Sequence, residues 1–528
     1  MNWKLYLKIS FGVVAISALP KILAITLVEP WVERKIEASF NEHSQSFGAD
    51  IGKVNLLLWS SGLELERIAI FSKPIQGRSR EEKGRIATVT LSGISIVKAI
   101  IMKEICVNGV TISGITFKGT ISCPKENPPI VSPLTIRVGT LILSRINIAI
   151  GNNLNEQTYS VKDGLLKVYS LHVRKQDTLS LRLVKQFDFE AKELLSISAD
   201  SMYSYRIKRI DYSDNLKRLT LSNFSIQPNY ADYDFTSRHH YQTDRIEVGF
   251  SNISVSNFSI ADYISKNDLI SSYVEIGKMD LVAFRDKRKE FRHAKVSAFQ
   301  DLIYSYPGAI AIDSIGVLSG SITYKEHAPQ AHKPGRINFS KVYAKAYRIT
   351  NDTIYKRATA FLELYASALL MGKGHLVIHL NGRLFDPLNA FSVNGSLSGM
   401  YAKELNPMVA QNAFVYATSG KIDAMSFNFS ANNSKSTGKL AILYHGLAFA
   451  FKNKRTDDTT ALKEKLISSI ANIYVLDANP VSGEKVRVGI IDYRRDSEKF
   501  LFNYCFKSIL SGIKTSLVKN PKKGNKSQ

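Results

Sequence analysis

The stretch "ICVNGVTISGITFKG", residues 105–119, repeats one five-residue phrase three times: apolar, small or polar, apolar, polar, glycine. Side chains alternate between the two faces of a regular strand, so an odd repeat would move each new apolar pair to the opposite face. The same spacing, with apolar residues at i, i+2, i+5 and i+7, recurs along the chain, including 136–148 and 248–260. This spacing does not match a helical period and therefore indicates strands.

Two strand structures keep all four apolar residues on one face. A two-residue hairpin places i+2 opposite i+5, whereas a β-bulge adds one residue, so that i+5 takes the place of i+4. Hairpins in the tandem segments would leave strands shorter than the usual five or six residues, so bulges are favoured there. The candidate residues of this apolar face are Ile105, Val107, Val110, Ile112, Val248, Phe250, Ile253, Val255, Phe258 and Ile260.

The repeated spacing predicts a mainly β protein. We expect a long, curved, bulged antiparallel sheet that forms an elongated, taco-like apolar groove, with an N-terminal transmembrane helix and a few short helices. The alternative is one or more ordinary β-sandwiches, in which the same apolar residues form a closed core.

The N-terminus predicts a membrane anchor followed by a short helix. Residues 9–28 form a mainly apolar run interrupted at Pro20 and Lys21, and twenty helical residues span about 30 Å, the thickness of one bilayer core. Basic residues precede this run and acidic residues follow it, so we expect the rest of the chain outside the cytoplasm. A cleaved signal peptide is the alternative. We expect an amphipathic helix over 29–48, and the anchor residues are Ile9, Phe11, Val13, Val14, Ile16, Leu19, Ile22, Leu23, Ile25 and Leu27.

Composition and motifs favour a binding protein over an enzyme. The net charge is +24, but the basic residues are dispersed except in the C-terminal tail, so we expect either contacts with anionic lipid head groups or a generic solvated surface, and no nucleic acid. His375 and His379 are predicted to lie in one strand, about 13 Å apart, too far to share a metal ion. We expect no catalytic residues, no metal site and no cofactor. Cys106 and Cys123 are expected either to be small buried side chains or to face each other across paired strands.

The C-terminal third carries a family resemblance. Met425, Phe427 and Phe429 alternate with polar residues and are further candidate groove residues, and helices are predicted over about 459–474 and 498–517. The quoted motifs are "FSVNGSL", "LNP" at 405–407, "SGKID" at 419–423, Gly438, "YHGLAF", "TDRIEV", "FRDKR" at 284–288 and "FNYCFKSILSGIK". Together they resemble the AsmA-like bacterial envelope proteins, relatives of the TamB and bridge-like lipid-transfer group.

That resemblance implies an inner-membrane anchor, a periplasmic β-groove in a Gram-negative bacterium, and a phospholipid partner in outer-membrane homeostasis. The expected divisions are 1–28 for the cytoplasmic stub and anchor, 29–48 for the helix, 49–383 for the groove, and 384–528 for an AsmA-like C-terminal region with an amphipathic helix and a basic tail. The alternatives are an anchored β-sandwich scaffold or assembly factor that binds proteins without lipid, and a hydrolase with an unfamiliar site.

Overall fold

A computed structural model describes residues 26, 28–43, 47–73, 81–95, 98, 104–120, 135–151, 158–174, 183–352, 361–452, 459–460 and 476–517. The chain divides into two compact units, Met1–Leu221 and Ser222–Gln528. Both are mainly β, as predicted. The division expected at 383/384 falls inside the second unit.

In the part of the first unit that the structure describes, an α-helix is followed by strands that pair in chain order. These elements are α1 (Glu29–His43), β1 (Phe47–Leu57), β2 (Gly62–Ser72), β3 (Glu82–Ile94), β4 (Glu104–Thr120), β5 (Thr135–Gly151), β6 (Thr158–Val173), β7 (Val184–Ile197) and β8 (Tyr203–Ser213). All of these neighbouring strands are antiparallel except β4 and β5, which are parallel. Strand β9 (Arg218–Pro228) crosses the boundary between the units.

The second unit combines a longer succession of strands with short helices. In chain order they are α2 (Asp232–Ser237), β10 (Asp244–Ser256), α3 (Ile260–Lys266), β11 (Leu269–Asp286), α4 (Phe299–Tyr304), β12 (Ile310–His327), β13 (Gly335–Thr350), β14 (Phe361–Leu370), β15 (Gly374–Arg383), β16 (Phe391–Tyr401), α5 (Asn406–Asn412), β17 (Val415–Ala431), β18 (Lys435–Lys452), β19 (Thr459–Thr460), β20 (Val488–Arg494) and α6 (Leu501–Leu517). Neighbours pair from β10 to β18, and β18 also pairs with β19 and β20.

The expectation of a wholly antiparallel sheet is wrong at two pairs. Strand β4 is parallel to β5, and β11 is parallel to β12. Between β11 and β12 the chain runs back through 287–309, including α4, and the Leu269 N–H donates to the Ala309 carbonyl at 2.7 Å. A face pattern carries no information on strand direction, so the spacing alone does not distinguish the two arrangements.

The prediction that the apolar pairs share one face within a single strand is confirmed in the first unit. Residues 105–119 lie in β4 without a turn, and 136–148 lie in β5. Leu65 and Ile68 in β2, three residues apart, belong to one hydrophobic cluster. Between them Arg67 has a φ of 52°, and Gly114 in β4 has a φ of 70°. These left-handed residues interrupt the alternation of side chains between the two faces of the strand. The next apolar pair therefore lies on the same face as the pair before it.

Most of these interruptions differ from a one-sided bulge. Ile86 pairs with Ile115 and Thr88 with Ser113, so the register of β3 and β4 is unchanged across Gly114. On the other side of β4, Arg145 of β5 is level with Gly114 and also has a positive φ, of 53°. Register shifts of the expected kind do occur in the β5–β6 pair between Leu143 and Ile146.

The segment 248–260 departs from the prediction at its end. Strand β10 stops at Ser256, and Asn257 has a φ of 56°. Phe258 is buried in the following turn, and Ile260 begins α3. The last apolar pair therefore does not continue the strand, because the Ser259 hydroxyl caps the helix by accepting from the Asp262 N–H at 3.2 Å.

Helix α1 covers the outer edge of β1. Backbone N–H groups of β1 donate to side chains of α1: Leu56 to Glu29 at 2.8 Å, Ile51 to Glu37 at 2.5 Å, and Ala49 to Asn41 at 2.8 Å. The helix thus satisfies edge donors that would otherwise be open to another strand. The predicted helix over 29–48 ends earlier, at His43, because Phe47 already belongs to β1.

Helix α6 covers the edge of β20 in the same manner. The Ile490 N–H donates to Thr515 Oγ1 at 2.8 Å, and the Asp492 N–H donates to Ser511 Oγ at 3.2 Å. The predicted helix over 498–517 is observed from Leu501. Of the helix predicted over 459–474, Thr459 and Thr460 form the short strand β19, and 461–474 lie outside the described residues.

Among the residues that the structure describes, no helix combines the length and apolar character needed to cross a bilayer. The predicted anchor residues from Ile9 to Ile25, together with Leu27, lie outside the described residues. Cys123 lies outside them as well.

Candidate functional site

One face of the first unit carries two apolar rows that run across successive strands. Directly paired residues share a face, and so do residues i and i+2 of one strand. Row 1 consists of Val54, Leu65, Val89, Ile112, Leu143, Leu166, Phe189 and Tyr212. Row 2 consists of Leu56, Leu63, Leu91, Val110, Leu141, Val168 and Phe187. The two rows lie side by side as one continuous apolar surface, here called the row face.

The opposite face of the same strands is mostly polar. Between rows 1 and 2, but pointing away from them, lie Asn55, Glu64, Thr90, Thr111, Ile142, Lys167, Asp188 and Ser213. Asn55 Nδ2 donates to Glu66 Oε1 at 2.7 Å, and Ser144 Oγ donates to Ser113 Oγ at 2.9 Å. One side of the sheet is therefore suited to water and the other is not.

Helix α1 packs on only one end of the row face. Its Val32 and Ile36 contact a cluster formed by Ala49, Ile51, Val54, Leu65 and Ile68, with Leu63, Ile86 and Val89 at its margin. Farther along the rows, Ile112, Leu143, Leu166 and Phe189 are only half-buried, whereas Val168, Phe187 and Tyr212 at the other end are buried. Half-buried apolar side chains on consecutive strands form a partly exposed surface of the kind that can bind an apolar ligand or partner.

The predicted residues of β4 all fall in transverse rows. Val110 and Ile112 belong to rows 2 and 1. Val107 pairs with Val138 and is 5% exposed, while Ile105 pairs with Ile136. Ile105 and Val107 lie beyond a second interruption of the side-chain alternation. It occurs in the neighbouring strand β3 at Gly93, which has a φ of 66°.

The predicted residues of β10 face apolar partners on β11. Val248 pairs with Leu281, Phe250 with Met279, Ile253 with Ile276, and Val255 with Val274. The Phe250 ring stacks on Phe224, with centroids 5.6 Å apart. Val248 is buried, and Phe250, Ile253 and Val255 are half-buried. Pairing continues into β12, where Ile276 meets Val317.

The predicted residues of β17 lie in a closed core. Met425, Phe427 and Phe429 are 8%, 3% and 1% exposed and belong to the cluster against which α6 packs. The helix comes close to the sheet because Gly512 lies against Leu440 and Ile491. At these residues the sheet presents no open apolar surface. The alternation in 425–431 is a correct strand pattern, but it is equally typical of a covered face.

A polar cluster joins two of the motifs that carry the family resemblance. Arg285 of "FRDKR" forms a bidentate pair with Asp244 of "TDRIEV", and Arg288 forms one with Asp286 at 2.9 and 2.8 Å. Glu326 accepts from Tyr324 at 2.7 Å and lies 2.8 Å from Lys287. The sequence motifs thus meet in an ion-pair network that links β10, β11 and β12.

The electrostatics of this cluster favour a structural role. Two hydrogen bonds from Arg288 hold the pKa of Asp286 below its ordinary value, against the effect of burial. Burial, with the Glu326 carboxylate beside it, raises the pKa of Tyr324. These shifts keep each group in its usual charge state at neutral pH, which is unlike a group tuned for proton transfer. Within the described parts of the chain, no three His, Cys, Asp or Glu side chains converge as metal ligands.

The remaining candidate residues are placed individually. His375 and His379 lie in β15, as predicted, and the His379 ring stacks on Tyr365 with centroids 4.1 Å apart. The Cys106 thiol lies 3.6 Å from the Glu104 carboxylate.

The left-handed conformation of Arg67 and Arg145 was not predicted from the sequence, since neither residue type signals a positive φ.

Comparison of the sequence with models of known protein families finds no match, and comparison with curated proteins finds none either. The AsmA-like resemblance therefore stays a prediction based on the quoted motifs.

Proposed function

We propose that this protein binds phospholipid acyl chains on the row face of its first unit, while residues 9–28 hold it in the inner membrane and the remainder lies in the periplasm. In this role it serves outer-membrane homeostasis, in keeping with the AsmA-like resemblance. The supporting observation is the row face itself: apolar side chains on consecutive strands, with Ile112, Leu143, Leu166 and Phe189 half-buried beyond the end on which α1 packs.

The dimensions of the rows suit an acyl chain. Eight strands spaced about 4.8 Å apart give a row of about 34 Å. A bilayer core of about 30 Å is two acyl chains deep, so one chain is about 15 Å long. A row of about 34 Å is therefore long enough to cover a whole chain. Each buried CH₂ contributes about 0.8 kcal/mol, so a continuous apolar row offsets much of the cost of moving a chain out of a bilayer. The mechanism needs no bond-breaking step.

A charge placed in row 1 tests this function against a matched control. Leu143 lies in row 1, and the adjacent Ile142 points to the polar face of the same strand. We expect Leu143→Asp to lose the phospholipid that copurifies with the full chain, as measured by mass spectrometry of extracted lipid. Ile142→Asp should retain it. Equal lipid content in both variants, or no lipid in the unmodified protein, would contradict the proposal.

A second candidate function is a protein-binding scaffold. It is favoured by the closed core of the second unit, where Phe427, Phe429 and Leu440 are almost fully buried under α6. A scaffold would copurify with a protein partner and without lipid, which the same extraction distinguishes.

A further inference from the structure

Two of the three tryptophans of the chain flank the apolar run 9–28 in sequence, and the third lies in a turn close to the start of α1. Trp3 precedes the run, Trp31 follows it, and Trp59 lies in the turn between β1 and β2. The Trp59 side chain is fully exposed at 105%, and Trp31 is 57% exposed. Tryptophan is enriched where a protein meets the head groups of a bilayer, because its ring has a large apolar body and one polar N–H.

The fold brings the Trp59 turn to the start of α1. Glu29, the first residue of α1, accepts a hydrogen bond from the Leu56 N–H at 2.8 Å, and Leu56 lies three residues before Trp59. The end of the apolar run is therefore adjacent to this turn. If that run spans a bilayer, Trp59 lies close to the bilayer surface.

The charges of α1 are divided between its two sides. Glu29 and Glu37 point to β1, where they accept from backbone N–H groups. Trp31, Arg34 and Lys35 are exposed on the side away from the sheet. The two other acidic residues of the helix are Glu33, which is half-buried, and Glu42, which is exposed and lies at the far end. The outward side is thus basic and aromatic, which complements an anionic head-group surface.

We infer that the outward side of α1 and the β1–β2 turn form a docking surface for an anionic bilayer, with Trp31 and Trp59 in the head-group layer and Arg34 and Lys35 on the lipid phosphates. This inference rests on the proposed membrane anchor but not on acyl-chain binding by the row face. The docking surface holds the first unit against the membrane, beside the end of the rows that α1 covers.

Single-tryptophan variants of the full chain test the inference. Each variant keeps Trp3, Trp31 or Trp59 and replaces the other two with Phe, and a control places Leu216→Trp in the tryptophan-free background. Leu216 is 64% exposed and lies in the turn that follows β8. The proteins are reconstituted into vesicles of phosphatidylglycerol and phosphatidylcholine, with the phosphatidylcholine brominated near the head-group end of its acyl chains.

We expect the Trp59-only protein to show blue-shifted emission and loss of intensity to the brominated lipid, whereas the Leu216→Trp control keeps solvent-like emission. Arg34→Glu with Lys35→Glu should reduce the quenching of Trp59. Solvent-like, unquenched emission from Trp59 would overturn the inference, and so would a blue shift without quenching, which would indicate protein contact. The Trp3-only protein shows separately whether the anchor itself is inserted.

Discussion

At the scale of single residues, a few left-handed positions decide on which side of the sheet each apolar pair lies. Gly114 is one of them, with a φ of 70°, and a Cβ placed there would lie 2.6 Å from the Ala87 Cβ. Glycine adopts this conformation without the cost that other residues pay, and it leaves room for the close approach of Ala87. The face pattern of β3, β4 and β5 therefore depends on this residue.

Replacement of Gly114 tests that dependence. We expect Gly114→Ala to destabilise the surrounding strands by about 1–3 kcal/mol, since the left-handed conformation costs about 1–2 kcal/mol and the contact with Ala87 adds to it. Faster hydrogen exchange of the β3, β4 and β5 amides is the measurement. Gly249→Ala is the control, because an added Cβ there meets no atom within 4 Å. Equal exchange in both variants would contradict the account.

The Asp286–Arg288 pair predicts a pH dependence. Hydrogen bonds from Arg288 lower the pKa of Asp286, so the carboxylate stabilises the fold above its unfolded pKa of about 4 and ceases to do so as the pH falls through the lowered folded value. We expect Asp286→Asn to lower the free energy of unfolding by about 1–2 kcal/mol at neutral pH. At a pH below the lowered folded pKa of Asp286, the variant and the unmodified protein should agree. Urea unfolding followed at β11 measures this, with Asp313→Asn, an exposed residue of β12, as the control.

At the scale of elements, helices α1 and α6 close the outer edges of β1 and β20 with side-chain oxygens. Open strand edges pair readily with other chains, so these helices limit edge-to-edge association. Helix α6 fits because Gly512 and Ser508 lie against the sheet, where Ser508 Oγ is 2.7 Å from Ser436 Oγ. Small residues on the contact side allow this close packing.

The docking of α6 is measurable through Cys505. Cys505 is partly buried against the sheet, and burial raises the pKa of its thiol to about 12, so docking of the helix should slow the reaction with thiol reagents. We expect Gly512→Ala to weaken docking, because a Cβ there would lie 2.7 Å from Ile491 Cγ1. In a chain with Cys106 and Cys123 changed to Ser, maleimide labelling of Cys505 should then accelerate about tenfold for each 1.4 kcal/mol lost. Lys514→Ala, on the exposed side, should leave the rate unchanged, and equal rates in both variants would argue against this packing.

The elements also show what the sequence can and cannot predict. The spacing of Leu65 and Ile68 correctly placed both on one face, and the apolar stripe of 501–517 correctly indicated a helix. The parallel pairs β4–β5 and β11–β12 were not predictable, because a side-chain pattern is the same in either strand direction. Nor was the positive φ of Arg67, since that conformation is set by the neighbouring strands and not by the residue type.

At the scale of the whole molecule, the two units differ in how their apolar faces are covered. In the first unit α1 packs on one end of the row face, and Ile112 and Leu143 beyond it are half-buried. In the second unit α6 packs on a buried cluster that includes Phe427 and Phe429. The strand pattern is alike at both places, so sequence alone predicts an apolar face without showing which helix covers it. For this reason the candidate residues of β4 and β17 have different surroundings.

The central claim is that the row face binds acyl chains, and adjacent residues of β4 test it most directly. Ile112 lies in row 1, and Thr111 points to the polar face of the same strand. A photo-activatable phenylalanine analogue at Ile112 of the full chain, illuminated in cells, should capture phospholipid, as read by mass spectrometry of the crosslinked protein. The same analogue at Thr111 should capture none. Equal capture at the two positions, or protein partners alone at Ile112, would contradict the account.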